Sequence, residues 1–262
     1  VPPDEKDAAR LLVRNALREL DFGDSERMVR INQLPLGFAD LEAVIPQCPD
    51  LVLLPKCESA EQVRAVEEAI KGVQAAHGRG RAVHLMPIIE SAMGALKALE
   101  IAAASNAVVA LAIGLEDYTA DIGAERTLEG RESQWMRGMV VNAARAAGVQ
   151  PIDTVFSDVN DMDGLRASAR EARSLGFDGK GCIHPRQIQV VHEAFLPDEK
   201  ELARAMKIVL AFDDAERRGL GVVALGSKMI DPPVVKRAQR TIRVAIKAGL
   251  LSENWKEEAG NV

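Results

Sequence analysis

A chain of 262 residues with 47% hydrophobic content is long enough for one large α/β domain or two small ones. Its net charge of −6 and isoelectric point near 5.4 argue against a nucleic-acid surface, which needs a basic face, although a local basic patch can still bind a phosphate, and nine aromatic residues (six Phe, two Trp, one Tyr) supply no evident base-stacking platform. Three unpatterned cysteines, Cys48, Cys57 and Cys182, point to a reducing compartment, with the cytoplasm expected, and neither a signal peptide nor an apolar run of membrane-spanning length is found.

In chain order, Leu12, Ala16 and Leu20 mark a first helix, followed by a β-rich run at Met28–Ile31 and another at Leu51–Leu54. Val63, Val66, Ile70 and Val73 recur at helical steps, with Ser59 and Gln62 ahead of them at capping-box spacing. Apolar runs follow at Val83–Ile89 and Val108–Ile113. The segment QWMRGMVVNAARAAG then reads as a helix stopped by Gly148. The last two strands are expected at Ile152–Phe156 and Gly181–Ile183. Beyond residue 197 the pattern is helical. Leu202, Met206, Val209 and Phe212 line one helix, a glycine-rich link follows, and a basic helix runs from Val234 to Gly249. Residues 1–197 are therefore expected to form a catalytic domain, and 198–262 a helical extension with a mobile link that serves as a lid.

Strand and helix alternating about every 30 residues imply a parallel sheet, and fully apolar strands imply that both of its faces are covered. A dinucleotide-binding sheet should carry G-x-G-x-x-G after its first strand, and this chain has none. A TIM barrel accounts better for the polar residues at nearly every strand end: Arg30 and Asn32, Lys56 and Glu58, Glu90, Glu116 and Asp117, Asp153 and Asp158, and His184. Barrel active sites are built at that end. A barrel needs eight strands and six are read, so the chain is expected to enter mid-barrel, lacking the first two.

Glu90 ends an apolar run, and Asp117 follows the next one 27 residues later. On neighbouring strands the two would lie about 4.8 Å apart. Such a pair can share a hard cation such as Mg²⁺, which takes one or two protein carboxylates and fills its shell with water and substrate oxygens. The alternative is that each acid caps the helix behind it. Arg30 should point into the barrel mouth, where its guanidinium fork suits a carboxylate or a developing oxyanion. Lys56 either shares that electrostatic role or orients Glu58. His184 is a candidate general base, although a histidine beside a proline turn more often serves as a structural hydrogen-bond partner. Asp153 or Asp158 can hold Arg30 or a nearby water. Cys57 and Cys182 read as small buried hydrophobes.

The blocks VRIN, LPKCESAEQV, PIIESAMG, GLEDYTADIG, GFDGKGCIHPRQI and GSKMIDPPVVKRA, in that order, resemble the citrate lyase beta subunit family of the HpcH/HpaI aldolase superfamily, which includes malyl-CoA and citramalyl-CoA lyases. The resemblance implies a Mg²⁺-dependent TIM barrel with a C-terminal helical extension, assembled as a homotrimer or hexamer. It places Glu90 and Asp117 at the metal-ligand positions, with Glu90 also near the substrate, Arg30 at the substrate position, and Asp231 as an acid on the lid. Family members open with two strands that have no counterpart here, in agreement with the count of six.

The implied reaction is retro-Claisen cleavage of a 3-hydroxyacyl-CoA (citramalyl, malyl or citryl) to acetyl-CoA and a 2-oxo acid. The rivals are a class II 2-oxo-acid aldolase without CoA, a malate-synthase-like or thioesterase activity, and a non-catalytic subunit of a larger lyase.

Overall fold

The computed structural model describes residues 1–78, 80–219, 223–225 and 228–260. The chain forms two compact units, Val1–Gln187 and Ile188–Val262, which divide upstream of the 197/198 boundary expected from the sequence.

The first unit holds six parallel strands: β1 (Met28–Arg30), β2 (Leu51–Leu54), β3 (His84–Ile89), β4 (Ala110–Ile113), β5 (Gln150–Asp153) and β6 (Gly179–Lys180). They pair strictly in chain order, β1 to β6. That is the order of a barrel wall, whereas a doubly wound sheet reverses direction at a switch point. Helices separate the strands: α1 (Lys6–Glu19) ahead of β1, then α2 (Gly37–Val44), α3 (Ala60–His77), α4 (Ala92–Leu96), α5 (Ala98–Ala102), α6 (Leu115–Asp121), α7 (Gln134–Ala147) and α8 (Met162–Leu175).

Val52, Leu54, Leu85, Ile89 and Leu111 are completely buried, as apolar strands covered on both faces require. Each such side chain contributes roughly 1.5–3 kcal/mol relative to exposure. On α3, Val63, Val66 and Ile70 are buried, and Ser59 and Gln62 form the expected capping box. Gly148 ends α7 in the left-handed conformation that glycine adopts without strain.

Three expectations shift. β5 lies two residues ahead of the segment read from sequence, and β6 is Gly179–Lys180, because the register pairs Ile152 with Gly179 and Asp153 with Lys180. Gly181 donates to the Asp153 carbonyl at 3.0 Å, and its successors have already left the sheet. On α1, Leu12 and Leu20 are exposed and the buried residue is Leu17, so the packed face runs through Arg10, Val13 and Leu17, one step round from the predicted one.

The second unit contains α9 (Arg186–Phe195, which starts at the end of the first unit), α10 (Glu199–Arg217), a strand pair β7 (Val223–Leu225) and β8 (Lys228–Ile230), α11 (Pro232–Lys247) and α12 (Trp255–Gly260). The antiparallel pair corrects the helices-only reading of this region. Gly221 and Gly226 of the glycine-rich link lie outside the described residues. Val209, Ile230, Val235, Ile242 and Trp255 form the core of this unit, with Leu202, Met206 and Phe212 packed against it. Asp198 opens α10 with a second capping box. Among the described residues no helix is long and apolar enough to cross a membrane.

Candidate active site

A cavity of about 360 Å³ opens at the C-terminal ends of β1 to β4, and Arg30, Asn32, Lys56, Glu90 and Asp117 all line it. Each arrives by a different local route.

Arg30 is the last residue of β1 and is exposed to the cavity. The turn behind it is held by Asp40, a buried acid of α2. Its carboxylate accepts from the backbone N–H of Asn32 at 2.6 Å, from Asn32 Nδ2 at 2.7 Å and from Arg10 Nε at 2.7 Å. Arg10 also pairs with Asp7, so α1 is tied to the β1–α2 turn through one buried carboxylate. The sequence reading missed Asp40, which carries no signal in GFADL beyond an ordinary helix start.

Lys56 follows β2 with φ of +48°, a left-handed conformation that costs a residue with a β-carbon about 1–3 kcal/mol. That geometry aims its N–H at Glu90 Oε1, 2.6 Å away. Its ammonium reaches Asp117 Oδ1 at 3.0 Å. It therefore does not orient Glu58, one of the two readings left open from sequence.

Glu90 leaves β3 buried, 8% exposed. Its other flank lies against Gly114, the residue just past the end of β4, where any β-carbon would overlap the Glu90 carboxylate. Glycine is therefore needed at 114 for space. Burial raises the Glu90 carboxyl above its ordinary range; the Lys56 N–H works against this, the charge of Asp117 adds to it, and the Lys56 and Arg30 charges oppose it. Glu90 does not cap α4. Ser91 does so, accepting from the Gly94 N–H at 3.0 Å.

Asp117 lies in the first turn of α6, one turn beyond the strand end where sequence placed it, because β4 stops at Ile113. It makes no cap bond either; the Leu115 N–H is met by Thr154 Oγ1. Glu116, its neighbour, turns away to Arg126 Nε at 3.0 Å.

The remaining strand-end residues lie elsewhere. Asp153 is buried against Arg137 (3.1 Å) and Lys180 (2.9 Å) and does not hold Arg30. Burial lowers the Lys180 ammonium below its usual range, against the pull of Asp153. Asp158 closes a turn by accepting from the Asn160 and Asp161 N–H groups. His184 Nδ1 accepts from the Arg186 N–H, and Gln187, fully buried and unremarked in the sequence, joins the Ile183 N–H to the Phe156 carbonyl. Cys57 is buried, which pushes its thiol up to about 12, whereas Cys182 is exposed rather than buried as expected. Asp231, in the second unit, is the N-cap of α11; its carboxylate accepts from the Val234 N–H at 3.1 Å, with Pro232 and Pro233 opening the helix.

The donor set fits a hard cation. Among the described residues no three of His, Cys, Asp and Glu converge, so an ion held by Glu90 and Asp117 would keep most of its shell for water and substrate, as Mg²⁺ prefers. The crowding of two anions, one of them buried and raised by its surroundings, is relieved by positive charge.

Residues 1–185 match the HpcH/HpaI aldolase/citrate lyase family. The chain belongs to that family. Citrate lyase subunit beta of Leuconostoc mesenteroides subsp. cremoris is 41% identical over 92% of this chain and 81% of its own. The L-malyl-CoA/beta-methylmalyl-CoA lyase of Cereibacter sphaeroides is 34% identical over 94% of this chain and 84% of its own. Among solved structures, CitE of Mycobacterium tuberculosis in complex with magnesium, acetoacetate and coenzyme A matches with a TM-score of 0.74 at 34% identity, covering 94% of this chain and 86% of that one. A citrate lyase from Burkholderia xenovorans LB400 superposes with a TM-score of 0.82 at 20% identity over 94% of this chain and 80% of its own, which speaks to the fold alone.

Proposed function

We propose that this HpcH/HpaI-family chain is a Mg²⁺-dependent carbon–carbon lyase that cleaves a 3-hydroxyacyl-CoA to acetyl-CoA and a 2-oxo acid. The observation that carries this reading is that Glu90 and Asp117, bridged by Lys56, line one cavity together with Arg30. The named activities of the citrate lyase and malyl-CoA lyase relatives, and the magnesium and coenzyme A in the CitE complex, support it.

Glu90 and Asp117 would hold the ion, which when bound supplies Lewis-acid polarisation and a template for the oxygens of the oxo-acid half. The cleavage itself takes one proton from the substrate's oxygen and later returns one to its carbon. A base takes the proton of the 3-hydroxyl, the freed oxygen pair closes the C3 carbonyl of the 2-oxo acid, and the pair of the breaking C2–C3 bond passes through C2 to the thioester oxygen as an enolate. Arg30 stabilises charge as it shifts between oxygens, with a planar fork that meets two of them. A proton then returns to C2. Asp231 is our candidate for carrying it, from a lid that closes and excludes water. In this reading the lid covers the barrel of a neighbouring subunit in a homotrimer or hexamer, the six-stranded wall belongs to an eight-stranded barrel with two further strands between β6 and β1, and the enzyme works in the cytoplasm.

The test is an assay of released oxo acid from citramalyl-, malyl- and citryl-CoA with and without Mg²⁺. Turnover of at least one, abolished by Glu90→Gln or Asp117→Asn in a folded protein, is expected. Metal-independent turnover would overturn the reading. Mixing Glu90→Ala with Asp231→Ala under subunit exchange tests the shared site, since recovered activity requires one chain's barrel to use another's lid. A second reading, a subunit acting within a larger lyase, is favoured by the beta-subunit relatives. Stable partner masses in native mass spectrometry would support it.

A further inference from the structure

We propose that Lys56 is a positioning residue with two successive partners: its ammonium is the resident counter-cation of Asp117 until a divalent ion arrives, and it then turns to the anionic group of the substrate. The inference rests on Glu90 and Asp117 as metal ligands.

One residue touches both acids by different groups. The backbone N–H fixes Glu90 Oε1 at 2.6 Å, and the ammonium sits on Asp117 Oδ1 at 3.0 Å. The backbone contact is bought with a left-handed φ of +48°, a conformation sustained only where the surroundings fix it. The ammonium contact is of another kind. Lys56 and Asp117 are 46% and 51% exposed in their side chains, so the pair is screened and weak. The anchor is thus rigid and the ammonium free to leave. Its position is the one an incoming cation needs, since a carboxylate oxygen that accepts from an ammonium has less to offer a metal.

Charge counting sets the sequence of events. Among the charged side chains that line the cavity, Glu90 and Asp117 balance Lys56 and Arg30, Asp40 balances Arg10, and Lys6 leaves one positive charge over. A divalent ion adds two positive charges, which an anionic substrate then offsets. Once displaced from Asp117, the ammonium is on a flexible stem in the same cavity and meets that anion as a compact point charge. Lys56 therefore opposes the metal alone and favours the metal with its substrate, so that the two bind together more readily than either does singly.

The test measures Mn²⁺ binding by calorimetry in the intact protein, then pyruvate binding to the Mn²⁺-loaded form. Lys56→Gly keeps the backbone N–H and tolerates positive φ, so the ammonium and its stem are lost while the backbone anchor stays. Lys56→Asn is the second variant, because asparagine also enters this region and guards against a glycine-specific loosening. Circular dichroism confirms the fold of each. Expected is a crossed result: Mn²⁺ binds about two- to fivefold tighter without the ammonium, as a half-exposed pair allows, while pyruvate binds about tenfold weaker. Weakening of both, or unchanged Mn²⁺ affinity with Mn²⁺ binding still lost in Glu90→Gln, would overturn the role of Lys56 and leave the metal ligands standing. Mn²⁺ bound equally well by wild type and Glu90→Gln would overturn the metal-ligand reading and this inference with it.

Discussion

Arg30 and Glu90 show how much one residue's chemistry depends on what holds it. Arg30 has an exposed side chain on a three-residue strand, and Asp40 stiffens the turn behind it by accepting from Asn32. A fork meets two oxygens at once where an ammonium meets one, so Arg30→Lys is expected to lower kcat/KM by about 10- to 100-fold, the worth of a charge-assisted hydrogen bond. Steady-state kinetics with Mg²⁺ saturating would read this, and near-normal turnover would remove Arg30 from the substrate's contacts. Glu90 depends on its neighbours in the opposite sense. A glycine makes room for it on one side, and a lysine in an unfavourable backbone conformation donates to it on the other. Neither Gly114 nor the φ of Lys56 could be read from GLED or LPKC, because both are statements about which strand end lies beside which.

Two ion clusters decide stability at the level of strands and helices. Asp50, just before β2, accepts from the Arg27 N–H at 2.9 Å and pairs with Arg27 Nε and with Arg81 at 3.0 Å, tying the entrances to β1, β2 and β3. The Arg27 N–H first, then the Arg27 and Arg81 side chains, hold its carboxyl below the usual range, against a burial effect that would raise it. A lowered folded value means the stabilisation is complete above the unfolded value, near 3.9, and is lost as pH falls through the folded one. Asp50→Asn should therefore cost about 1–3 kcal/mol at pH 7 and progressively less below pH 4, measured by urea unfolding across that range. A constant difference would assign the loss to shape rather than charge. Deeper in, Asp153 lies between Arg137 and Lys180, all three buried. Removing the acid strands Lys180 and leaves Arg137 only its ion pair with Glu171, so Asp153→Asn should cost about 3–5 kcal/mol. Adding Lys180→Met should recover part of it, and additive losses in urea unfolding would deny the coupling. Asp153 also marks the limit of pattern reading. Its place at a strand end made it a site candidate, but the partner that removes it from the cavity is Arg137, on a helix 16 residues away, and no periodicity announces that pairing. Elements with a strong period were legible: the α3 face, its capping box, and the β1 to β4 runs. β5 and β6 slipped because their boundaries are set by register with each other, and β7 and β8 were hidden because glycine-rich sequence reads as a link whether or not it pairs.

Across the whole molecule, the division of labour follows the two units. Arg30, Lys56, Glu90 and Asp117 belong to Val1–Gln187, and Asp231 belongs to Ile188–Val262. The second unit is much the smaller, and small units bury a lower fraction of their surface and are correspondingly marginal. Its core gathers around Trp255, 5% exposed, whereas the other tryptophan, Trp135 on α7, is 54% exposed. With Trp135→Phe, emission therefore reports the second unit alone, while far-ultraviolet circular dichroism is weighted to the first. In urea the red shift of Trp255 is expected to precede the main loss of ellipticity. Between the two transitions Mn²⁺ should still bind, because the carboxylates proposed to hold it and the Lys56 backbone anchor lie in the first unit. Lyase turnover should already be gone if Asp231 supplies the proton to C2. Coincident transitions would make the units one cooperative body. Turnover that outlasts the Trp255 shift would show that the first unit completes the chemistry itself, returning Asp231 to the role its bond to the Val234 N–H already describes, the cap of α11.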